Sequence, residues 1–355
     1  MFFYSFLKSL LFLLDPESAH RITINYLRFA RFKKPKLYKV LKSRVFGLNF
    51  YNPIGIAAGF DKNGEVAHNL INLGFGFSEI GTVTPKPQPG NSKPRVFRLK
   101  DDNAIINRLG FNSEGFVQVK ANLGKTGNNI IGINIGANKN SKDFSEDYIK
   151  GIKFFSTIAS YITINISSPN TPGLRNLEIL ENLDILLDKI NNLDREDLLI
   201  KTPILLKISP DLEADNLKYL CEKVLSSKIN GLIISNTTVS RDSISTDIEE
   251  KGGLSGKPLF DISTKQLRMA YKYTNGKIPL IGVGGIDSAE KAYKKIKNGA
   301  SLVQLYTGLV YNGPNLIKDI NKDLSSLIEG DGYSNISEAV VSVFTETSCI
   351  CGDRF

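Results

Sequence analysis

From residue 45 onward, short apolar or β-branched runs alternate eight times with helix-patterned stretches, and this alternation constrains the fold more than any other feature. The runs fall at Ile54–Ala58, Ser78–Thr82, Ile130–Ile135, Tyr161–Ile166, Ile204–Ile208, Gly231–Ser235, Leu280–Val283 and Leu302–Tyr306. Helical spacing marks Glu65–Leu73, Leu177–Asn191, Ala214–Ser226 and Ala289–Lys297 between them. Eight β/α units predict an α/β chain closed into a parallel (β/α)8 TIM barrel. A doubly wound open sheet is the competing arrangement, but no G-x-G-x-x-G follows the first strand.

In such barrels chemistry gathers where strands run into their following loops. Those positions here hold Asp61 and Lys62, Thr82, Asn134, Asn165 with Ser167 to Asn170, Lys207, Asn236 and Thr237, Gly284 and Gly285, and Tyr306 to Gly308. Any one Asn, Ser or Thr could be an ordinary turn cap. Their recurrence at nearly every strand end suggests a mouth built for a planar, polar, anionic ligand. The glycines after strands seven and eight would let backbone N–H groups approach a phosphate, although tight turns without a ligand would use them too.

Elimination narrows the chemistry. His20 lies in the N-terminal segment, and His68 and Cys221 fall within helix-patterned stretches. A histidine base, a cysteine nucleophile and a Ser–His–Asp triad are therefore disfavoured. Three cysteines, with Cys349 and Cys351 one residue apart, supply neither a disulfide framework nor a zinc site, so no metal is expected. What remains is a fork. Lys62 or Lys207 could form a Schiff base, as in an aldolase, or Ser167 or Ser168 could remove a proton.

Charge separates the N-terminus from the body. Of the net +9, residues 1–44 carry ten Lys/Arg against Asp15 and Glu17, while the remaining 311 residues hold 35 bases and 34 acids. A near-neutral body argues against nucleic acid as a partner. Phe2 to Leu14 is apolar but interrupted by Lys8, and is too short for the ~20 residues that span a bilayer. Asp15 as N-cap and Pro16 at the first helical position start a second helix, on which Ala19, Ile22, Tyr26 and Phe29 share helical spacing. Two amphipathic helices with a basic hem suit a bilayer surface, and equally suit a pair packed on the barrel with its charges solvated.

Taken together, the motifs Ala57 to Lys62, Gly81 to Pro85, Asn107 to Asn112, Asn165 to Gly173, Lys207 to Asp211, Asn236 to Thr238 and Gly252 to Gly256 resemble the dihydroorotate dehydrogenases, specifically their membrane-associated, quinone-linked class. The resemblance runs from the first residues to about Glu338 and implies oxidation of dihydroorotate to orotate in pyrimidine biosynthesis. FMN would be the hydride acceptor and a membrane quinone the final one. It implies FMN contacts at Ala58, Gly59, Phe60, Asp61, Lys62, Thr82, Asn134, Asn165, Lys207, Ser235, Gly256, Gly285, Tyr306 and Thr307. Substrate contacts would fall on Lys62, Asn107, Arg108, Leu109, Gly110, Phe111, Asn165, Asn170, Asn236 and Thr237. Ser168 takes the position of the catalytic base, which would remove a proton from C5 while C6 gives up hydride. The soluble class has a cysteine there, so serine together with the N-terminal extension points to the quinone-linked class.

The expected organisation is a membrane-associating, quinone-entry segment over 1–44, an FMN barrel over 45–338 and a tail over 339–355 that departs from the family after Val340. Residues Thr171 to Leu174 are expected to close over Ser168. A peripheral location on the cytoplasmic side of the cell membrane, as a monomer or weak dimer, is also expected. A soluble flavin barrel passing electrons to NAD or fumarate is the nearest alternative, and no second nucleotide site supports it. A Schiff-base aldolase and a non-enzymatic membrane protein are the others.

Overall fold

The computed structural model describes residues 2–170, 180–193 and 202–340. Two helices come first, α1 (Phe2–Leu13) and α2 (Pro16–Phe29), followed by a small antiparallel hairpin, β1 (Ser43–Val45) with β2 (Leu48–Phe50). The chain then runs β3 (Ile54–Ile56), α3 (Ala67–Leu73), β4 (Phe77–Val83), β5 (Val96–Leu99), β6 (Ala104–Asn107), α4 (Gly115–Leu123), β7 (Ile131–Ile135) and α5 (Phe144–Phe155). Next are β8 (Tyr161–Asn165), α6 (Leu180–Asn191), β9 (Ile204–Ile208), α7 (Ala214–Leu225), β10 (Gly231–Ile234), β11 (Gly253–Gly256) and α8 (Leu259–Thr274). Finally come β12 (Leu280–Val283), α9 (Ala289–Lys297), β13 (Ala300–Leu305), α10 (Thr307–Asn312) and α11 (Asn315–Gly330).

Eight of the strands close a parallel barrel in the order β3, β4, β7, β8, β9, β10, β12, β13 and back to β3. They are the eight runs read from the sequence, with ends shifted by at most two residues. Both faces of a barrel strand are covered, which is why these runs are continuously apolar rather than alternating. Two features left no such signal. The β1–β2 hairpin is only three residues a side, and β5, β6 and β11 form a separate antiparallel sheet beside the barrel mouth. Its strands come from two insertions distant in sequence, so local periodicity could not pair them. The proposed tail from Val341, the Thr171–Leu174 closure and the start of the Leu177 helix lie outside the described residues.

The bottom of the barrel is filled by aromatic rings. Phe50, Phe77 and Tyr161 stack edge-to-face and are essentially buried, an arrangement that suits ring quadrupoles. Room for Tyr161 exists because residue 132, its neighbour on β7, is glycine: a Cβ there would stand 2.1 Å from the ring.

Asp15 caps α2 as expected, accepting from the Ser18 N–H at 2.9 Å, with Pro16 at the first helical position. The apolar spacing read from the sequence falls on two sides of α2. Ala19, Ile24 and Leu27 are buried against the barrel, whereas Ile22, Tyr26 and Phe29 are exposed by 50%, 67% and 80%. The helix thus carries two apolar stripes, and one of them is left exposed among the described residues. Arg21 and Arg28 both pair with Glu65, and Glu17 pairs with Arg95 at 2.9 Å. These ion pairs fasten α2 across the mouth.

Gly132→Ala should therefore lower the unfolding free energy in urea by about 1–3 kcal/mol, the usual range for overpacking a filled core. Gly330→Ala, where a Cβ meets nothing within 4 Å, should change it by less than about 0.5 kcal/mol.

Candidate functional site

A cavity of about 590 Å³ opens at the C-terminal mouth of the barrel. Strand ends supply its floor, the β5–β6–β11 sheet supplies one wall, and Pro16, Glu17, His20, Arg21 and Ile24 of α2 supply another. Of the residues expected there, Ala58, Gly59, Phe60, Lys62, Thr82, Asn107, Leu109, Gly110, Phe111, Asn165, Ser168, Asn170, Lys207, Ser235, Asn236, Thr237, Gly285, Tyr306 and Thr307 all line it.

Four expected residues do not. Asp61 is buried behind the wall, where its carboxylate accepts from the Glu65 and Val66 N–H groups at 2.9 and 2.8 Å. Asn134 lies one layer below the cavity and acts on Thr82 and Asn165. Gly256 ends β11, packed against the backbone of Asn103 and Ala104. The Arg108 side chain turns outward to Glu250 and the carbonyls of Pro94 and Lys251, with its guanidinium 4.6 Å from the Phe97 ring. Contiguity in a motif placed it among ligand contacts, but alternation along an extended strand end sends its side chain away from those of its neighbours.

Beneath the floor, one buried carboxylate organises the amides. Glu79 on β4 accepts from Asn134 Nδ2 at 2.8 Å, Tyr161 Oη at 3.0 Å and Gln304 Nε2 at 2.8 Å. A carboxylate only accepts, so the NH₂ of Asn134 must face it and Asn134 Oδ1 must face the mouth. That oxygen takes hydrogen bonds from Thr82 Oγ1 at 2.6 Å and Asn165 Nδ2 at 3.3 Å. Asn165 Oδ1 is thereby turned the other way, to accept from Ser167 Oγ at 3.0 Å and Asn236 Nδ2 at 3.3 Å. A chain of fixed donor directions runs from the core to the ligand space. Sequence alone gave no hint of it, because Glu79 sits inside an apolar strand.

The same geometry separates the two serines. Ser167 is fully buried, occupied by Asn165 and Asn236, and outside the cavity. Ser168 faces the cavity while 5% exposed, and its Oγ accepts only from the Asn170 N–H at 3.3 Å among the described hydrogen bonds. Two lysines share the space. Lys62 Nζ donates to the Gly59 carbonyl at 2.5 Å, and burial lowers its pKa to about 8, partly offset by Glu17. Burial also lowers the pKa of Lys207, with Glu79 acting in the opposite sense.

His20, set aside in the sequence as part of the N-terminal segment, stands on the cavity wall. Its ring lies 5.3 Å from Phe60, edge to face. Burial, with Lys62 adding to it, holds its pKa at about 3. It is a neutral wall group on the N-terminal segment, and residue spacing carried no sign that this segment reaches the cavity.

At the far end, Gly285 lines the cavity, and a Cβ on it would lie 2.4 Å from Phe260. No protein acceptor is described for its N–H. Thr307 and Gly308, at the start of α10, also line the cavity there. An elongated space with free N–H donors at one end and amides with cations at the other fits a phosphate-bearing flavin. Among the described residues no cluster of His, Cys, Asp or Glu could hold a metal.

Residues 40–328 match the family model for dihydroorotate dehydrogenase. The chain belongs to the dihydroorotate dehydrogenase family. A protein of Parvibaculum lavamentivorans named dihydroorotate dehydrogenase (quinone) is 48% identical over 339 residues, spanning 94% of this chain and 96% of that one. The mitochondrial dihydroorotate dehydrogenase (quinone) of Oryza sativa subsp. japonica is 46% identical over 367 residues, spanning 94% and 78%. Among solved structures, DHODH from Eimeria tenella in complex with ferulenol superposes with a TM-score of 0.84 at 35% identity, covering 93% of this chain and 98% of that one. Its ligand-free form gives 0.85 at 36%, covering 92% and 98%. The dihydroorotate dehydrogenases thus share with this chain both the barrel and nearly its whole length.

Proposed function

We infer that this chain oxidises dihydroorotate to orotate, a step of pyrimidine biosynthesis, and passes the electrons to a quinone, with FMN as its flavin. The observation that carries this reading is Ser168 facing a cavity that also holds two cations and a set of amides with fixed orientation.

A flavin bound in the cavity supplies the acceptor for hydride from substrate C6. The protein supplies the rest. Lys62 pairs with the substrate carboxylate, and Asn107, Asn165, Asn170 and Asn236 meet the amide edges of the ring, which present both donors and acceptors. Leu109, Gly110, Phe111 and Thr237 wall the ring. Ser168 takes the C5 proton. Serine is a weak base, and two features lower the cost of its ionisation: the Asn170 N–H at its oxygen and the charges of Lys62 and Lys207 in the same cavity. Lys207 places positive charge where the flavin ring gains electrons. Ala58, Gly59, Thr82 and Ser235 would hold the flavin, and Gly285, Tyr306 and Thr307 would hold its phosphate.

Residues 1–44 serve as the quinone-entry segment, and residues 45–338 as the flavin-binding barrel. Supporting this, α2 borders the cavity and also exposes Ile22, Tyr26 and Phe29, while Leu10, Leu13 and Leu14 are exposed beside it. Such an apolar face, followed by Arg31, Lys33, Lys34 and Lys36, suits insertion into one leaflet with bases against anionic headgroups. No helix of the described residues is long and apolar enough to cross a membrane. From the exposed apolar face and the bases that follow it, we propose a peripheral location on the cytoplasmic face of the membrane.

Ser168→Ala should retain flavin yet slow its reduction by dihydroorotate at least ~10²-fold in anaerobic stopped flow, the range for losing a positioned base. An unchanged rate removes Ser168 from the chemistry. The Lys62 ammonium is present below its pKa of about 8 and lost above it. The KM for dihydroorotate should accordingly be flat below pH 8 and rise above it, approaching tenfold per pH unit. In Lys62→Met it should be high and free of this rise, as steady-state kinetics between pH 6 and 9.5 would show.

A further inference from the structure

Lys295 on α9 is fully buried. Its Nζ donates to Ser263 Oγ at 2.6 Å and lies 3.5 Å from the carbonyl oxygens of both Phe260 and Val283, with the Phe260 ring centroid 5.2 Å away. Every one of those groups is neutral. No carboxylate lies within ion-pair distance of Lys295 among the described residues. The acid that acts on it, Asp261, is exposed and pairs with Lys294 at 3.7 Å. Burial accordingly drives the lysine's pKa well below its ordinary value.

An ammonium buried among neutral dipoles is expensive, and a leucine or methionine would fill the same volume without that cost. The position explains the choice. Val283 immediately precedes the Gly284–Gly285 turn, and Phe260 belongs to the first turn of α8, packed so closely on Gly285 that a Cβ would not fit. Ser263 bridges the two, since its hydroxyl also approaches the carbonyls of Leu259 and Gly284, at 2.7 and 3.4 Å. Lys295 therefore pins, from behind, the wall that faces the cavity with the free Gly285 N–H.

Resting on the flavin reading above, we propose that Lys295 is a positioning residue for the phosphate of FMN: a buried amine behind the Gly284–Gly285 turn that fixes the turn and would hold its proton, and so its charge, when the phosphate is bound on the cavity side. Among the described residues Lys295 has no ion-pair partner, and the ligand would provide one. In a poorly screened interior such a pair weighs far more than on the surface.

The test compares FMN with riboflavin, which differ by the phosphate alone. The full-length chain is stripped of flavin, and dissociation constants for each are measured by quenching of flavin fluorescence. Wild type should bind FMN more tightly than riboflavin. Lys295→Met should lose ~10-fold or more of the FMN affinity, about 1.4 kcal/mol per decade, and less than ~2-fold of the riboflavin affinity. Lys295→Arg should restore most of the difference. Equal weakening of both flavins, or no change in either, would overturn the proposal and leave Lys295 a packing residue. If Lys295→Met does not fold, Lys295→Gln keeps a hydrogen bond to Ser263 without the charge, and the same FMN-specific loss is required of it. Wild type binding both flavins equally would also overturn it while sparing the flavin reading. Binding of neither would sink that reading itself.

Discussion

The site depends on one buried carboxylate. Glu79 draws donors from β7, β8 and β13 into the centre of the barrel, and the direction of every amide above it follows from its being an acceptor only. Asn134 must turn its carbonyl toward the mouth, Asn165 must answer with its NH₂, and Asn236 is oriented in turn. The amides at the mouth thus hold one another in set directions before any ligand enters. Uncompensated, a carboxylate at this depth would be costly, and three hydrogen bonds are what make it tolerable.

The second constraint is the attachment of α2. Its buried stripe and its ion pairs to Glu65 and Arg95 close one side of the cavity, while its exposed stripe faces outward beside the entrance. One helix therefore borders the polar chamber on one side and presents an exposed apolar surface on the other, which is the route proposed above for the quinone. Keeping His20 neutral serves this arrangement, because a charged imidazole on that wall would add to the positive charge of Lys62.

Much of the barrel was legible because both faces of each strand are buried, so the eight runs stood out as continuous apolar segments. The mouth was legible for a related reason: polar residues at strand ends such as Lys62, Asn165 and Asn236 have no packing role to explain them. Three things were hidden. Which face of α2 meets protein stayed open because the helix has two apolar stripes, and spacing cannot tell them apart. The outward turn of Arg108 and the inward capping by Asp61 depend on partners, Glu250 and the Val66 N–H, that motif reading does not see. Glu79 and Lys295 escaped notice because a single charged residue in an apolar strand, or on a lysine-rich helix, has no local signature of burial. The residues alone left Ser167 and Ser168 open and the resemblance named Ser168; in the structure it is Ser168 that lines the cavity.

The central claim is that one cavity couples dihydroorotate oxidation to quinone reduction through a bound flavin. Its most direct test is an anaerobic absorbance titration of the purified chain with dihydroorotate, followed by a short-chain quinone. The account predicts bleaching of the flavin band by substrate and its full return on adding quinone. A flavin that dihydroorotate does not bleach, or that bleaches and is not restored by quinone, would contradict it.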